Sequence, residues 1–319
     1  MNVPPNTSVR DQPTLPTRIQ WRQILLISLG ALALYIVARR LPTGTNLSHM
    51  DFRAGANSIE FCDPANPQFM PVVAVRSPVE MTLASESPLT ASQPAQLLLT
   101  LKTSSGKPIA PEDLLVVHTQ KLHLLIVDPS LSDYQHVHPQ PGAKKGEWIF
   151  SFTPRHAGVY RVFADFTPAA TARGLYASSD LEVKPSGGTT AETDKPNQQT
   201  GNWGYETQGY RFTLQPSATP IRAGKLVDLN FSIVGVAGGA VPLQPVMGAF
   251  AHLVAFDEAR SGFAHLHPNE TDLAHAPDAQ RPRLTFKVTI PRAGRYVIWS
   301  QINLGGQEMF TPFWFEVAP

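Results

Sequence analysis

Residues 121–139 and 250–268 are one segment written twice. At a single constant offset, Lys121 to Asp128 falls on Phe250 to Asp257, and Tyr134 to Pro139 falls on Phe263 to Pro268, without a gap. The shared signature is His-x12-His-x-His-Pro. His123, Asp128, Tyr134, His136, His138 and Pro139 thus correspond to His252, Asp257, Phe263, His265, His267 and Pro268. A chain built this way has to accommodate the same supersecondary unit twice, so the fold is expected to be a tandem duplication.

The match extends in both directions with small insertions. Gln96 to Leu101 answers Leu226 to Phe231, Phe152 to Tyr160 answers Thr289 to Tyr296, and Leu181-Glu-Val183 answers Phe315-Glu-Val317. Each copy reads as short strands punctuated by glycine and proline, the pattern of a β-sandwich. Composition agrees. Charged residues make up 16% of the chain, against roughly 25% in an average soluble domain, and there are 30 prolines. The expectation is an all-β protein: two tandem Ig-like or cupredoxin-like β-sandwich domains after an N-terminal transmembrane helix. The Pro-x-x-Gly-x-Tyr piece ending at Tyr296, and its counterpart with one more residue ending at Tyr160, suggest a strand start resembling the tyrosine corner.

Ile24 to Ala38 is free of charge and flanked by Trp21 and Arg22 on one side and Arg39 and Arg40 on the other. Fifteen apolar residues reach only about 22 Å as a helix, against about 30 Å of hydrocarbon. Trp21, Gln23 and snorkelling arginines extend that to a span. No small-x-small cleavage site follows, which favours an uncleaved signal anchor; a cleaved signal peptide and a buried core helix are the other readings. Arginines are balanced across the segment, so an extracytoplasmic bulk is inferred from the class of protein and not from charge. The expected layout is a cytoplasmic tail over 1–20, a signal anchor over 21–40 in the inner (cytoplasmic) membrane, and a stalk over 41–75. A first sandwich over 76–184, a linker over 185–206 and a second sandwich over 207–319 follow, both periplasmic.

The histidines carry the chemistry. Of ten, seven lie in or just before the matched windows: His118, His123, His136, His138, His252, His265 and His267. At the same offset His118 falls on Met247, which keeps a soft-metal ligand type in place. Residues two apart in a strand share a face, so His136 and His138 do. If the hairpin register pairs Leu125 with His136, His123 joins them; a slip of one residue sends His123 to the other side. Each domain then holds three imidazoles, with His118 or Met247 as a fourth ligand. The competing view is that the histidines are hydrogen-bonded hairpin fasteners which duplication has copied. His49, Met50, Cys62 and Met70 in the stalk could form a soft-metal relay, although scattered loop residues of these types are usually incidental.

The segment His118 to Pro139, with its His-Val-His-Pro ending, resembles exported YtkA-like and CopC-like sandwich modules. That resemblance implies an extracytoplasmic role in handling copper or another heavy metal, with metal-handling envelope proteins as partners. The methionine-rich loop and amino-terminal histidine of copper-resistance sandwiches are not found here. A net charge of +1 gives no basic stripe for nucleic acid. The single cysteine, Cys62, excludes an intramolecular disulfide framework and leaves both domains without the cysteine of a blue-copper site. With no Gly-x-Ser-x-Gly, His-Glu-x-x-His or phosphate loop, no enzymatic activity is expected. The sequence points to a metal-binding envelope protein, or alternatively to a non-catalytic structural or interaction module.

Overall fold

The computed structural model describes residues 18–40, 47–52, 67–187, 201 and 203–319. It separates into an N-terminal unit and a larger unit, Thr45–Pro319.

The N-terminal unit contains one helix, Arg18–Arg40. Its span Arg18–Val37 has a mean hydropathy of 1.4 and is long enough to cross a membrane, a property that signal sequences share. Ile24, Leu25, Leu26, Ile27, Leu29 and Leu32 are all exposed. An apolar helix with no buried face suits a lipid environment and not a protein core.

The larger unit is two β-sandwiches. In the first, a sheet ordered Val79–Ser85, Ala95–Thr103, Glu147–Phe152 and Gln140–Pro141 packs on a five-stranded sheet. That second sheet runs Leu89–Thr90, Leu175–Lys184, Gly158–Phe166, Leu122–Val127 and Tyr134–Val137. The second sandwich repeats the plan. Gly204–Thr207, Tyr210–Pro216, Leu226–Gly235 and Arg283–Thr289 face a sheet of Ile221–Arg222, Gln307–Ala318, Gly294–Leu304, His252–Asp257 and Phe263–Leu266. Leu243–Gln244 adds to it beside Gly294–Leu304. Both copies share an unusual detail, a short parallel pairing of Leu89 with Val183 and of Ile221 with Val317.

Period-two patterning makes the outer strands. In Ala95–Thr103 the side chains of Leu97, Leu99, Leu101 and Thr103 are buried while Gln96 and Lys102 point outwards. The two tyrosines predicted at strand starts are tied down differently. Tyr296 donates to the Arg292 carbonyl at 3.0 Å, whereas Tyr160 donates to the Asp133 carboxylate at 2.7 Å and accepts from His156 N–H at 3.0 Å.

Leu122–Val127 breaks the alternation, because every residue in it is buried. Leu122, Leu124 and Ile126 enter the core of their own sandwich. Leu125 and Val127, on the opposite face, pack with Tyr134, Phe163, Val254, Phe256, Phe263, Val297 and Trp299 in a separate cluster that joins the two sandwiches. The two histidine-bearing sheets are therefore stacked face to face, and each strand at the seam is covered on both sides. Phe163 lies 5.3 Å from Phe263 and Tyr134 lies 5.4 Å from Phe256, ring centre to ring centre. Trp299 donates its indole N–H to the Leu131 carbonyl at 3.2 Å across the seam.

The described end of the segment read as a stalk is packed. Phe69 enters the core of the second sandwich, and Met70 and Val72 enter the seam. Met70 and Phe263 exchange backbone hydrogen bonds at 2.7 and 3.1 Å. The adjacent Gly262 makes this approach possible, since a Cβ there would sit 1.8 Å from the Met70 carbonyl oxygen. Met70 is thus seam packing and not part of a metal relay. Met50 is exposed, while Cys62 and the side chain of His49 lie outside the described residues.

Candidate metal centre

The hairpin register decides whether the histidines meet. Leu125 pairs with His136 and Leu124 with Val137, so His123 and His138 are the next opposed positions along the ladder. In the second copy Val254 pairs with His265 and Leu253 with Leu266, which puts His252 against His267. In each domain the three imidazoles share a face, and that face looks into the seam. The ligand-capable nitrogens of His123, His136 and His138 lie within 4.8 Å of one another, and so do those of His252, His265 and His267.

Outer hydrogen bonds fix the tautomers. His123 Nε2 donates to the Val117 carbonyl at 3.0 Å, which leaves Nδ1 as a lone pair. Gln301 donates its amide N–H to Glu308 at 2.8 Å, so its Oε1 faces His136 and accepts from His136 Nδ1 at 2.8 Å. His136 Nε2 is then a lone pair as well. These two lone pairs, His123 Nδ1 and His136 Nε2, face each other at 3.1 Å. The second copy repeats the arrangement. His252 Nε2 donates to the Val246 carbonyl at 3.0 Å, and His265 Nδ1 donates to the Asp165 carboxylate at 3.2 Å. That leaves His265 Nε2 and His252 Nδ1 facing each other at 3.4 Å. The third member of each triad presents a buried Nε2 with no hydrogen-bond partner, on His138 and on His267.

Two acceptors aimed at each other repel unless a cation lies between them. With metal–nitrogen bonds of about 2.0–2.1 Å, separations of 3.1 and 3.4 Å correspond to ligand angles of about 100° and 110°, close to tetrahedral. The electrostatics favour neutral rings ready to ligate. Burial pushes His136 and His265 well below the usual imidazole range, with the neighbouring imidazoles adding to the effect. Burial likewise lowers His123 and His138, brings His252 down to about 3 and pushes His267 further in the same direction. Burial raises the carboxyl of Asp165, the acid bonded to His265.

The two triads share the seam. The rings of His136 and His265 are 5.4 Å apart, and those of His123 and His265 are 5.8 Å apart. His118, expected beside the first triad, lies against the second: its ring stacks on His267 at 3.6 Å and is 6.4 Å from His123. It occupies a turn, Val117 to Gln120, with φ 48°; Met247 occupies the matching turn, Val246 to Ala249, with φ 49°. The two turns are neighbours, since a Cβ on Gly248 would be 3.8 Å from Thr119.

Sequence reasoning missed Asp165 and Gln301. Asp165 pairs with His123 on the adjacent strand and Gln301 pairs with His252, so they are equivalent positions, each five residues after a matched tyrosine. Each supports the middle histidine of the other domain. The repeat contained the signal, but a carboxylate facing an amide does not look like a conserved ligand pair.

Residues 74–183 and 205–319 each match the model of one family, described as a domain of unknown function (DUF8832). The chain belongs to this family. It carries the DUF8832 domain twice, in keeping with the duplication. No curated protein matches the sequence. Among solved structures, the chain is similar to the native alpha-2-macroglobulin of E. coli, at 12% identity and a TM-score of 0.25, over 76% of this chain and 17% of that one. It is similar also to a DUF4785 family protein of Legionella pneumophila, at 8% identity and a TM-score of 0.24, over 76% of this chain and 56% of the other. The chain thus spans only a small part of the macroglobulin. None of these comparisons supports the YtkA-like or CopC-like modules specifically.

Proposed function

We propose that this DUF8832 protein is a membrane-anchored envelope protein that binds a transition metal through its paired histidine triads, with copper as the ion. The observation that carries this reading is the buried, unpartnered Nε2 of His138 and of His267, each beside two imidazole lone pairs already turned towards each other. Buried polar atoms are almost always satisfied, so an orphan repeated in both three-histidine clusters points to cation binding. Imidazole donors suit copper, zinc, nickel and iron; copper is chosen among them on the resemblance of the His118 to Pro139 segment to copper-handling modules. The helix Arg18–Arg40 anchors the chain, the sandwiches face the extracytoplasmic side, and the protein holds or passes the ion to metal-handling partners without chemistry of its own.

A second reading has its own observation. The bonds from His123 to Val117 and from His252 to Val246 fasten the turns that precede the strands, as expected if the histidines are purely structural. One experiment separates the two. Full-length protein in detergent is titrated with copper and zinc, alongside the variant His136→Ala, His138→Ala, His265→Ala, His267→Ala. Metal binding predicts tight copper uptake and a raised melting temperature in the wild type, both lost in the variant. Equal, weak binding by both proteins with a lower melting temperature for the variant supports the structural module instead.

A further inference from the structure

Each triad could hold an ion of its own, one per domain. Their placement argues against two independent sites. An ion held at about 2.0–2.1 Å from an imidazole nitrogen lies about 3 Å from the ring centre, so with His136 and His265 rings 5.4 Å apart two ions would be at most about 12 Å apart. His118 crosses from the first domain to stack on His267 of the second. Each triad is also held in place by the opposite domain, His136 by Gln301 and His265 by Asp165. Neither triad has its full set of hydrogen-bonding supports without the other domain.

We propose that the two triads form a single dinuclear centre in the seam between the domains, filled in order, with the His252, His265 and His267 triad loading first. The inference rests on the metal-binding reading above and extends it. The order follows from a difference in what supports the middle histidine of each half. His265 Nδ1 donates to a carboxylate, whereas His136 Nδ1 donates to a neutral amide. A carboxylate behind an imidazole raises its basicity as a ligand and offsets part of the ion's charge, effects that change metal affinity by about 10- to 100-fold. Its charge lies 3.2 Å from His265 Nδ1, and the Asp165 side chain is 18% exposed, so water screens it only in part.

The test uses the full chain in detergent, titrated with Cu(II) and followed by elemental analysis and electron paramagnetic resonance. The expected result is two ions per chain, bound in two resolved steps. The spectrum should be that of isolated Cu(II) at one equivalent and should show dipolar broadening or loss of intensity at two. The variant His252→Ala, His265→Ala, His267→Ala should bind one ion and never broaden. Asp165→Asn should weaken the first step about tenfold or more and merge it with the second. Two ions with additive, unbroadened spectra would overturn the dinuclear centre while leaving metal binding intact. One ion per wild-type chain would overturn it in favour of a single shared site. Unchanged step separation in Asp165→Asn would overturn the order. No bound copper at all would remove the metal-binding reading itself.

Discussion

His123 Nδ1 and His136 Nε2 face each other at 3.1 Å, and the other nitrogen of each ring is already committed as a donor, to the Val117 carbonyl and to Gln301. With those bonds the contact between them is not an ordinary hydrogen bond but two lone pairs that a cation can bridge. That relationship recurs between His252 and His265, and it is the basis for the functional reading.

Gln301 holds His136 in the ligating tautomer from the other domain. Gln301→Leu should lower the affinity of the first triad by about 10- to 100-fold without unfolding the protein. A competition titration against a chromophoric chelator measures this; an affinity unchanged within error would remove Gln301 from the site.

The seam should also carry stability. Leu125 is fully buried between the sandwiches, so Leu125→Ala should cost about 2–5 kcal/mol through lost burial and a residual cavity. Urea unfolding followed by tryptophan fluorescence reports it, because Trp299 lies in the same cluster. A cost below about 1 kcal/mol would mean that the sandwiches do not depend on each other.

How much of this was legible in the sequence depends on which face of a strand is considered. The repeat, the all-β class and the shared face of His136 and His138 followed from pattern and spacing, because alternation fixes side-chain direction, whereas His123 joined them only on one of two possible registers. The run Leu122–Val127 was ambiguous for a physical reason. Its odd positions are buried by the other domain and its even positions by its own, and periodicity cannot report a partner that is not local. For the same reason the sequence left the two triads as separate sites and assigned His118 to the wrong neighbour, since both depend on how two distant hairpins stack.

Acid should destabilise the metal-free protein. Burial holds His252 at about 3 and depresses the other triad histidines below their ordinary value. In the unfolded chain the same groups take up protons near pH 6.5, so between that value and their folded values the unfolded state binds more protons. Their contribution is present above about pH 6.5 and is lost as the pH falls towards about 3. In chelator, the urea midpoint should drop steadily from about pH 7 to about pH 5; a flat or rising midpoint over that window contradicts neutral, buried imidazoles.

Tyr134 puts a buried hydroxyl with no partner into the seam, where the second copy has Phe263. Tyr134→Phe removes an unsatisfied polar atom and should stabilise the fold by about 1 kcal/mol. Thermal unfolding of the two proteins side by side decides it, and a loss of stability would show that the hydroxyl has a partner in solution.

The most direct measurement is X-ray absorption at the copper edge of the full-length protein loaded with copper in detergent. The expected spectrum has a first shell of nitrogen at about 2.0 Å with at least three ligands showing the outer-shell scattering of imidazole. That scattering should disappear in the fourfold histidine variant. A first shell of oxygen without imidazole scattering, or a spectrum identical in wild type and variant, would contradict it.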